Sequence, residues 1–498
     1  MREARLERLL HRGLTAQQRG DQAGAERCYQ AFLTLAPMDA NANHLLGVLR
    51  CQQGRHTEAL PLLETALAAA PQSAEIQAHY GLALHGAGRH AEALAILDSA
   101  LALAADRFAL QAETLNSRGM VLMALQRAAE ALASLEKAVT LEPSYAEAWN
   151  NRGIALRGMD RMTDASESFA RAAALAPGHP GVLFNLGLAC RATGDLDQAL
   201  AAFERILESY PDHRPTHSNL AQLLCERGRT DEALAHFRRH AELGGGDSGA
   251  QSDHKHRHDQ EQAAWLANAG WQDGAGARLP VAAVNARNDV AAIAQAWRTA
   301  RPQVAVIDNL LTQEALQSLR RFCWQAPIWR KSYPEGYLGA VPEEGFAAPL
   351  LSQIAAELRQ TYDAIFGDHC LRYLWAFKCD SRLRGVNIHA DFAAVNVNFW
   401  ITPDEANCNP DSGGLVIWDK AAPLDWDFTR YNQDQAAIRA FLKDSGARSQ
   451  TVPYRANRAV IFDSDLFHQT DDISFRDGYT NRRINVTMLY GRRRSHEG

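Results

Sequence analysis

The sequence predicts a multidomain chain: an all-α superhelix of repeats, then an all-β barrel or jelly roll with flanking helices. Two observations carry this. Residues up to 244 repeat with a period of 34, and from residue 372 short β-rich runs alternate with Gly, Pro, Asn and Asp. A length of 498 residues accommodates two or three domains with sizeable cores.

Three markers define the repeat. Gly13, Gly47 and Gly81 are 34 apart; after a step of 38, Gly119, Gly153, Gly187 and Ala221 resume it. A second glycine series runs at Gly54, Gly88, Gly194 and Gly228, and a proline series at Pro37, Pro71, Pro143, Pro177 and Pro211. Each unit reads as two helices. The small residues fall where helices approach closely, and the prolines are expected to open the next unit. Only LALAADRFALQAE, near residue 105, breaks the pattern, with about four extra residues.

Period, glycine, alanine and proline positions together resemble the tetratricopeptide repeat, at seven copies over roughly residues 6–244. The resemblance implies a superhelix with a concave face that binds a protein or peptide. Asn151, Asn185 and Asn219, each two residues before a marker, occupy the position that faces the groove in this family. Amides there are candidates to hydrogen-bond an extended peptide.

After residue 243 the run GGGDSGAQSDHKHRHDQEQ reads as a solvated linker, set at 245–262. His254, His256 and His258 alternate with cations, which oppose a metal site. Residues 260–270 are expected to form a helix capping the array. The remainder, 263–498, is the second domain, with a barrel core at about 372–492. Before the core, VAVIDNLL predicts a strand and Thr312 caps the helix EALQSLRRFCW; residues 349–366 form another amphipathic helix. The strands are RYLWAFKC, AAVNVNFWIT, GGLVIWD, QTVPYR, RAVIFD and RRINVTMLYG.

One His-x-Asp occurs in the chain, His389-Ala390-Asp391. In extended backbone, residues i and i+2 project to one face, so an imidazole and a carboxylate can meet one ion. His468, which ends RAVIFDSDLFH, is the candidate third ligand. Two histidines and one carboxylate leave coordination positions open, an arrangement suited to non-haem iron(II). Fifteen residues after His468, alternation divides the next strand into a polar face (Arg483, Asn485, Thr487) and an apolar one (Ile484, Val486, Met488). A buried polar face needs a partner, and a dicarboxylate forked by Arg483 would supply one.

His-x-Asp, a gap of 77 residues, His, then Arg on the following strand resembles the iron(II)/2-oxoglutarate oxygenases with a double-stranded β-helix, over roughly residues 303–493. Arg483-x-Asn485-x-Thr487 is similar to the strand of the alkylated-nucleic-acid demethylases in that superfamily. The resemblance implies iron on His389, Asp391 and His468, 2-oxoglutarate on Arg483, and dioxygen as oxidant. Prolyl hydroxylases often carry a tyrosine nine residues before the first histidine, where this chain has Asp380; Lys378 or Asn396 are the candidates to serve instead. The polar stretch 424–450 is expected near the site mouth. Of Trp375, Trp400, Trp418 and Trp426, most are expected in the core and one or two at the pocket.

A net charge of −6 with histidine neutral gives no reason to expect nucleic acid or an acidic membrane. No apolar run is long enough to span a bilayer, the N-terminus lacks a signal-peptide core, and the eight cysteines form no C-x-x-C pair. These features point to a cytoplasmic protein with reduced thiols. The expected function is hydroxylation of a protein or peptide recruited by the repeats. The alternatives are a small-molecule oxygenase whose repeats serve oligomerisation, or a non-catalytic interaction protein. Nucleotide-sugar chemistry is disfavoured, because the second half lacks alternating strands and helices.

Overall fold

The structure, a computed structural model, describes residues 2–244, 252–334, 336–380 and 386–493. It divides into two compact units, Met1–Pro211 and Asp212–Gly498.

The first unit is six helix pairs. The leading helices are Arg2–Gln18, Ala40–Gln52, Ala74–Gly86, Phe108–Ala124, Ala146–Gly158 and Pro180–Thr193. Each is followed by one partner helix: Gln22–Leu35, His56–Ala69, His90–Leu103, Ala128–Leu141, Met162–Leu175 and Leu196–Ser209. The marker glycines work by contact. Gly13, Gly47, Gly81, Gly119, Gly153 and Gly187 face Tyr29, Leu63, Leu97, Leu135, Phe169 and Phe203, and a Cβ on any of them would lie 2.5–2.7 Å from that side chain. At that distance something must move, so the period is a packing requirement. The second series is conformational. Gly20, Gly54, Gly88 and Gly194 all have left-handed φ, and in the two repeats without glycine Gln126 and Asp160 adopt it, at +60° and +59°.

The prolines do not open helices as expected. Ala36, Ala70, Glu142 and Ala176 are helix C-caps, and Pro37, Pro71, Pro143 and Pro177 come directly after them. There they stop one helix, because a proline has no N–H to continue it. The extra residues near 105 lengthen one leading helix to 17 residues, Phe108–Ala124, about one turn more than the 13 of its neighbours.

The second unit begins with the seventh pair, Arg214–Glu226 and Thr230–Leu243. Sequence alone groups this pair with the other six. Here its second helix packs on helix Pro349–Thr361, Arg238 donates to the Ala347 carbonyl at 2.6 Å, and Asp231 pairs with Arg278 at 2.8 Å.

Ten strands follow: β1 Val304–Ile307, β2 Lys331–Ser332, β3 Tyr337–Ala340, β4 Leu371–Cys379, β5 Val395–Trp400, β6 Leu415–Ala421, β7 Ser449–Val452, β8 Ala459–Asp463, β9 Leu466–Thr470 and β10 Arg483–Tyr490. They make two antiparallel sheets, one of order β1-β8-β5-β10-β4-β3-β2 and one of order β7-β6-β9. Trp400, Val460 and Phe462 of the first share a core with Leu415, Ile417, Val452 and Leu466 of the second. Each residue of β10 is buried, so both of its faces are covered. Thr312 caps helix Gln313–Gln325 by accepting from the Ala315 N–H, as the sequence predicts.

The solvated-linker reading of 245–262 needs correction. Residues 245–251 lie outside the described residues, but Asp253–Ala269 is one helix, capped by Ser252. A spacing of four places His254, His258 and Gln262 on one helical face. His258 is fully buried with Nε2 3.2 Å from Lys378 Nζ, and Gln262 donates to the carbonyls of Trp324 and Ala326. The charges that made this stretch look solvated lie partly elsewhere, as in the Lys255–Asp259 pair.

Candidate metal centre

His389 precedes β5 and His468 lies on β9, a strand of five residues absent from the strands that the sequence predicts. The two histidines exchange backbone hydrogen bonds, His389 N–H to the His468 carbonyl at 2.9 Å and the reverse at 2.8 Å. Directly bonded antiparallel residues put their side chains on one face, and the rings lie 4.3 Å apart. Asp391 joins them, its N–H bonded to the Ser464 carbonyl at 3.1 Å. Its carboxylate lies 3.4 Å from His468 Nε2 and 3.9 Å from His389 Nε2. One ligand atom from each residue falls within 4.8 Å of the others.

The protonation states suit a cation. His389 Nδ1 lies 2.7 Å from the Asn387 carbonyl and His468 Nδ1 3.0 Å from the Leu466 carbonyl. A carbonyl only accepts, so each Nδ1 carries the proton and each Nε2 offers a lone pair towards Asp391. Burial, then the charge of His468, depresses the His389 pKa to about 4. Burial would raise that of Asp391, but its close contacts with His468 and His389 outweigh this and hold it below its usual value. Near neutral pH, therefore, His389 offers a neutral imidazole and Asp391 is ionised. Two imidazoles and a carboxylate fit a divalent first-row transition ion.

A polar chain supports the carboxylate. Asn396 donates to Asp391 at 2.5 Å, Asn398 donates to Asn396 at 2.7 Å, and Asn485 and Thr487 donate to Asn398 at 2.7 and 2.9 Å. Arg483 lies on the same face of β10. It donates to the carbonyls of Gly413 and Gly414 at 2.6 and 3.1 Å, and its guanidinium is 5.6 Å from the Trp400 ring centre. Burial lowers its pKa. Among the described residues no carboxylate forms an ion pair with it, and its buried charge is met by these neutral carbonyls. His389, Asp391, His468, Arg483, Asn485 and Thr487 all line one narrow cavity, of about 20 Å³. It adjoins an outer cavity of about 450 Å³, with Trp375, Phe377, Val386, His389 and Asp391 common to both.

Two sequence-based assignments change. Lys378 is not at the cavity. It pairs in register with Ile484, on the opposite sheet face from Arg483, where it meets His258 and the Tyr479 ring at 3.6 Å. Burial, then the charge of Arg482, holds its pKa well below the usual range. The amides proposed for a peptide groove are already engaged. Asn151 donates to Asn116 at 2.9 Å, Asn185 to Asn150 at 3.0 Å, and Asn219, in the second unit, to the Pro215 carbonyl at 3.0 Å. The first two bonds join residues 35 apart, as does the contact of His44 with His79 at 2.9 Å, so these side chains tie successive repeats together. That pairing escaped the sequence reading because its partners are one residue out of phase with the marker period.

Asn398 of the polar chain, and Phe428, Asn432 and Gln435 at the outer cavity, also escaped it. The stretch 424–450 does supply the mouth, through helix Phe428–Asn432 and the residues that follow. Among the tryptophans, Trp375 lines both cavities and Trp400 is fully buried.

Comparison with known proteins bears on the helical half. Tetratricopeptide-repeat family models match residues 10–74, 50–113, 112–145, 144–212 and 191–252. A tetratricopeptide repeat protein from Parabacteroides merdae is 16% identical with a TM-score of 0.37, over 49% of this chain and 95% of that one. YrrB, described as a repeat protein with an unusual peptide-binding site, is 22% identical with a TM-score of 0.32, over 36% and 92%. The type IV pilus biogenesis factor PilW is 19% identical with a TM-score of 0.38, over 41% and 94%. No curated protein matches the chain. No described helix is long and apolar enough to cross a membrane. Residues 10–244 of this chain are an array of tetratricopeptide repeats.

Proposed function

We propose that the second half is an iron(II)/2-oxoglutarate-dependent oxygenase, its two sheets forming a double-stranded β-helix, and that the repeats bring it a protein or peptide. Tetratricopeptide repeats generally bind proteins or peptides, and the array stands independently of the catalytic reading. The observation that carries the enzyme is one cavity holding, at separate points, a convergent His389–Asp391–His468 donor set and a buried Arg483 without a carboxylate partner.

Iron(II), 2-oxoglutarate and dioxygen supply the oxidising equivalent for hydroxylation of a C–H bond, 2-oxoglutarate leaving as succinate and carbon dioxide. The chain's own contributions are specific. His389 and His468 present Nε2 because backbone carbonyls hold their Nδ1 protons. Asn396 orients Asp391. Arg483 takes the distal carboxylate of the co-substrate as a charge-assisted contact, beside Asn485 and Thr487. Trp375 and Phe377 line both cavities beside the donor set.

A second reading is a non-catalytic repeat protein whose β domain is a binding module. It is favoured by the family matches, all of which lie within residues 10–252. A small-molecule oxygenase with the repeats as scaffold is the third. Anaerobic titration with iron(II), then 2-oxoglutarate, separates these readings. Saturable binding of both, abolished in His389→Ala, together with succinate formation in air, supports an oxygenase. Metal binding without 2-oxoglutarate binding supports the module.

A further inference from the structure

The outer cavity has a composition of its own. One side is aromatic: Tyr333, Tyr337, Tyr373, Trp375 and Phe377. The other carries amides, Asn432 and Gln435, from the segment that follows helix Phe428–Asn432 or ends it. Besides the donor set itself, the only charged lining residue among those described is Lys331. At the lip Phe392 and Phe428 meet edge to face at 6.4 Å, yet remain 41% and 45% exposed.

The amides have a fixed orientation. Gln435 donates its Nε2 to the Ile388 carbonyl at 2.7 Å, and Asn432 its Nδ2 to the Ala390 carbonyl at 3.0 Å. Since a carbonyl only accepts, both side-chain oxygens are left as acceptors, on either side of His389. Among the described residues Gln435 Oε1, which is buried, has no hydrogen-bond partner, and neither has Trp375 Nε1, a donor. A buried acceptor and a buried donor without partners each cost stability unless something binds them.

We propose that this cavity is the substrate seat and takes an uncharged peptide segment. Gln435 Oε1 accepts one backbone N–H, Trp375 Nε1 donates to one backbone carbonyl, and a large apolar side chain lies against Phe392 and Phe428. A secondary amide supplies the missing donor and acceptor in one group. A phosphate-bearing ligand would find a single cation, and a cationic one would meet Lys331. The inference rests on the reading of His389, Asp391 and His468 as a metal centre beside the seat.

The test uses the full chain under nitrogen, loaded with Mn(II) and 2-oxoglutarate, with Mn(II) occupancy read by electron paramagnetic resonance. The probe is a library of random heptapeptides, acetylated and amidated at their ends. Retained peptides are expected to lack charged residues at their centre and to carry Phe, Leu, Ile or Met there. N-methylation along a retained peptide should cost at least about tenfold in affinity at one position, and less than about threefold at that position in Gln435→Ala. Equal losses in both proteins would overturn the seat, since a peptide held by the repeats alone has no coupling to Gln435. So would retention of centrally charged peptides, or of none, with Mn(II) bound. If wild type does not bind Mn(II), the metal-centre reading fails and the seat with it.

Discussion

His389 and His468 are bonded to each other through both of their backbone N–H groups, which holds their rings 4.3 Å apart without help from any ligand. The separation of the two imidazoles proposed as metal donors is thus set by strand pairing, and the third candidate, Asp391, is held by the amide of Asn396. A donor set built this way loses little conformational freedom when an ion arrives.

Removing a donor and removing its support should therefore differ in degree. His468→Ala is expected to weaken Mn(II) or iron(II) binding by well over a hundredfold. Asn396→Ala, which leaves every donor in place but frees the carboxylate, should cost about 10–100-fold. Anaerobic titration of both variants checks this; wild-type affinity in His468→Ala would refute the assignment.

Arg483 and Arg482 are adjacent and both buried, but they face opposite layers. Arg483→Ala should weaken 2-oxoglutarate binding by at least about tenfold, since a charge-assisted contact is worth roughly 1.5–3 kcal/mol. Arg482 instead pairs with Glu261 at 2.9 Å, on helix Asp253–Ala269. Arg482→Ala should lower the melting temperature and leave co-substrate affinity intact. The opposite pattern would place β10 out of register by one residue.

The marker glycines predict a sharp contrast within one helix. Gly153→Leu drives a side chain into Phe169, whose ring is 2.6 Å from the position of a Cβ, and should destabilise the array by about 1–3 kcal/mol. Gly158 meets nothing within 4 Å, so Gly158→Ala should be neutral or stabilising, by up to about 1 kcal/mol. Chemical denaturation of the two variants gives the comparison.

Acid should loosen the first unit. His44 and His79 share a proton-dependent contact, and burial, then the charge of His79, lowers the His44 pKa to about 4. Folded His44 thus takes up its proton later than the unfolded chain, near its usual value of about 6.5. Its contribution is complete above that value and is lost as pH falls towards 4. Between pH 7 and 5 the wild type should lose about 1–2 kcal/mol more stability than His44→Gln, measured by urea unfolding at each pH.

Much of this was legible in the sequence, for reasons that differ by element. The repeats announced themselves because a glycine at each leading helix has no substitute larger than alanine. The left-handed series was only partly visible, since Gln126 and Asp160 hold the same backbone conformation without being glycine. The donor set could be found because His-x-Asp is a local pattern, and Arg483 because β10 alternates cleanly. Lys378 was misassigned because β4 carries large side chains on both faces, so alternation there does not say which face is inside. Helix Asp253–Ala269 was lost to its polar composition, and β9 to its brevity. Gln435 and Asn432 had no signal at all, as their roles depend on reaching the carbonyls beside His389 from 42–47 residues away.

The seventh repeat belongs to the same compact unit as the sheets, and this constrains how such a chain can change over generations. A duplication or deletion among the first six repeats adds or removes an interchangeable piece. Loss of Arg214–Leu243 would instead strip helix Pro349–Thr361 of a neighbour, leave the Ala347 carbonyl without Arg238, and leave Arg278 without Asp231. Loss of any of the first six repeats would leave these three contacts in place, whereas loss of the seventh would break all of them.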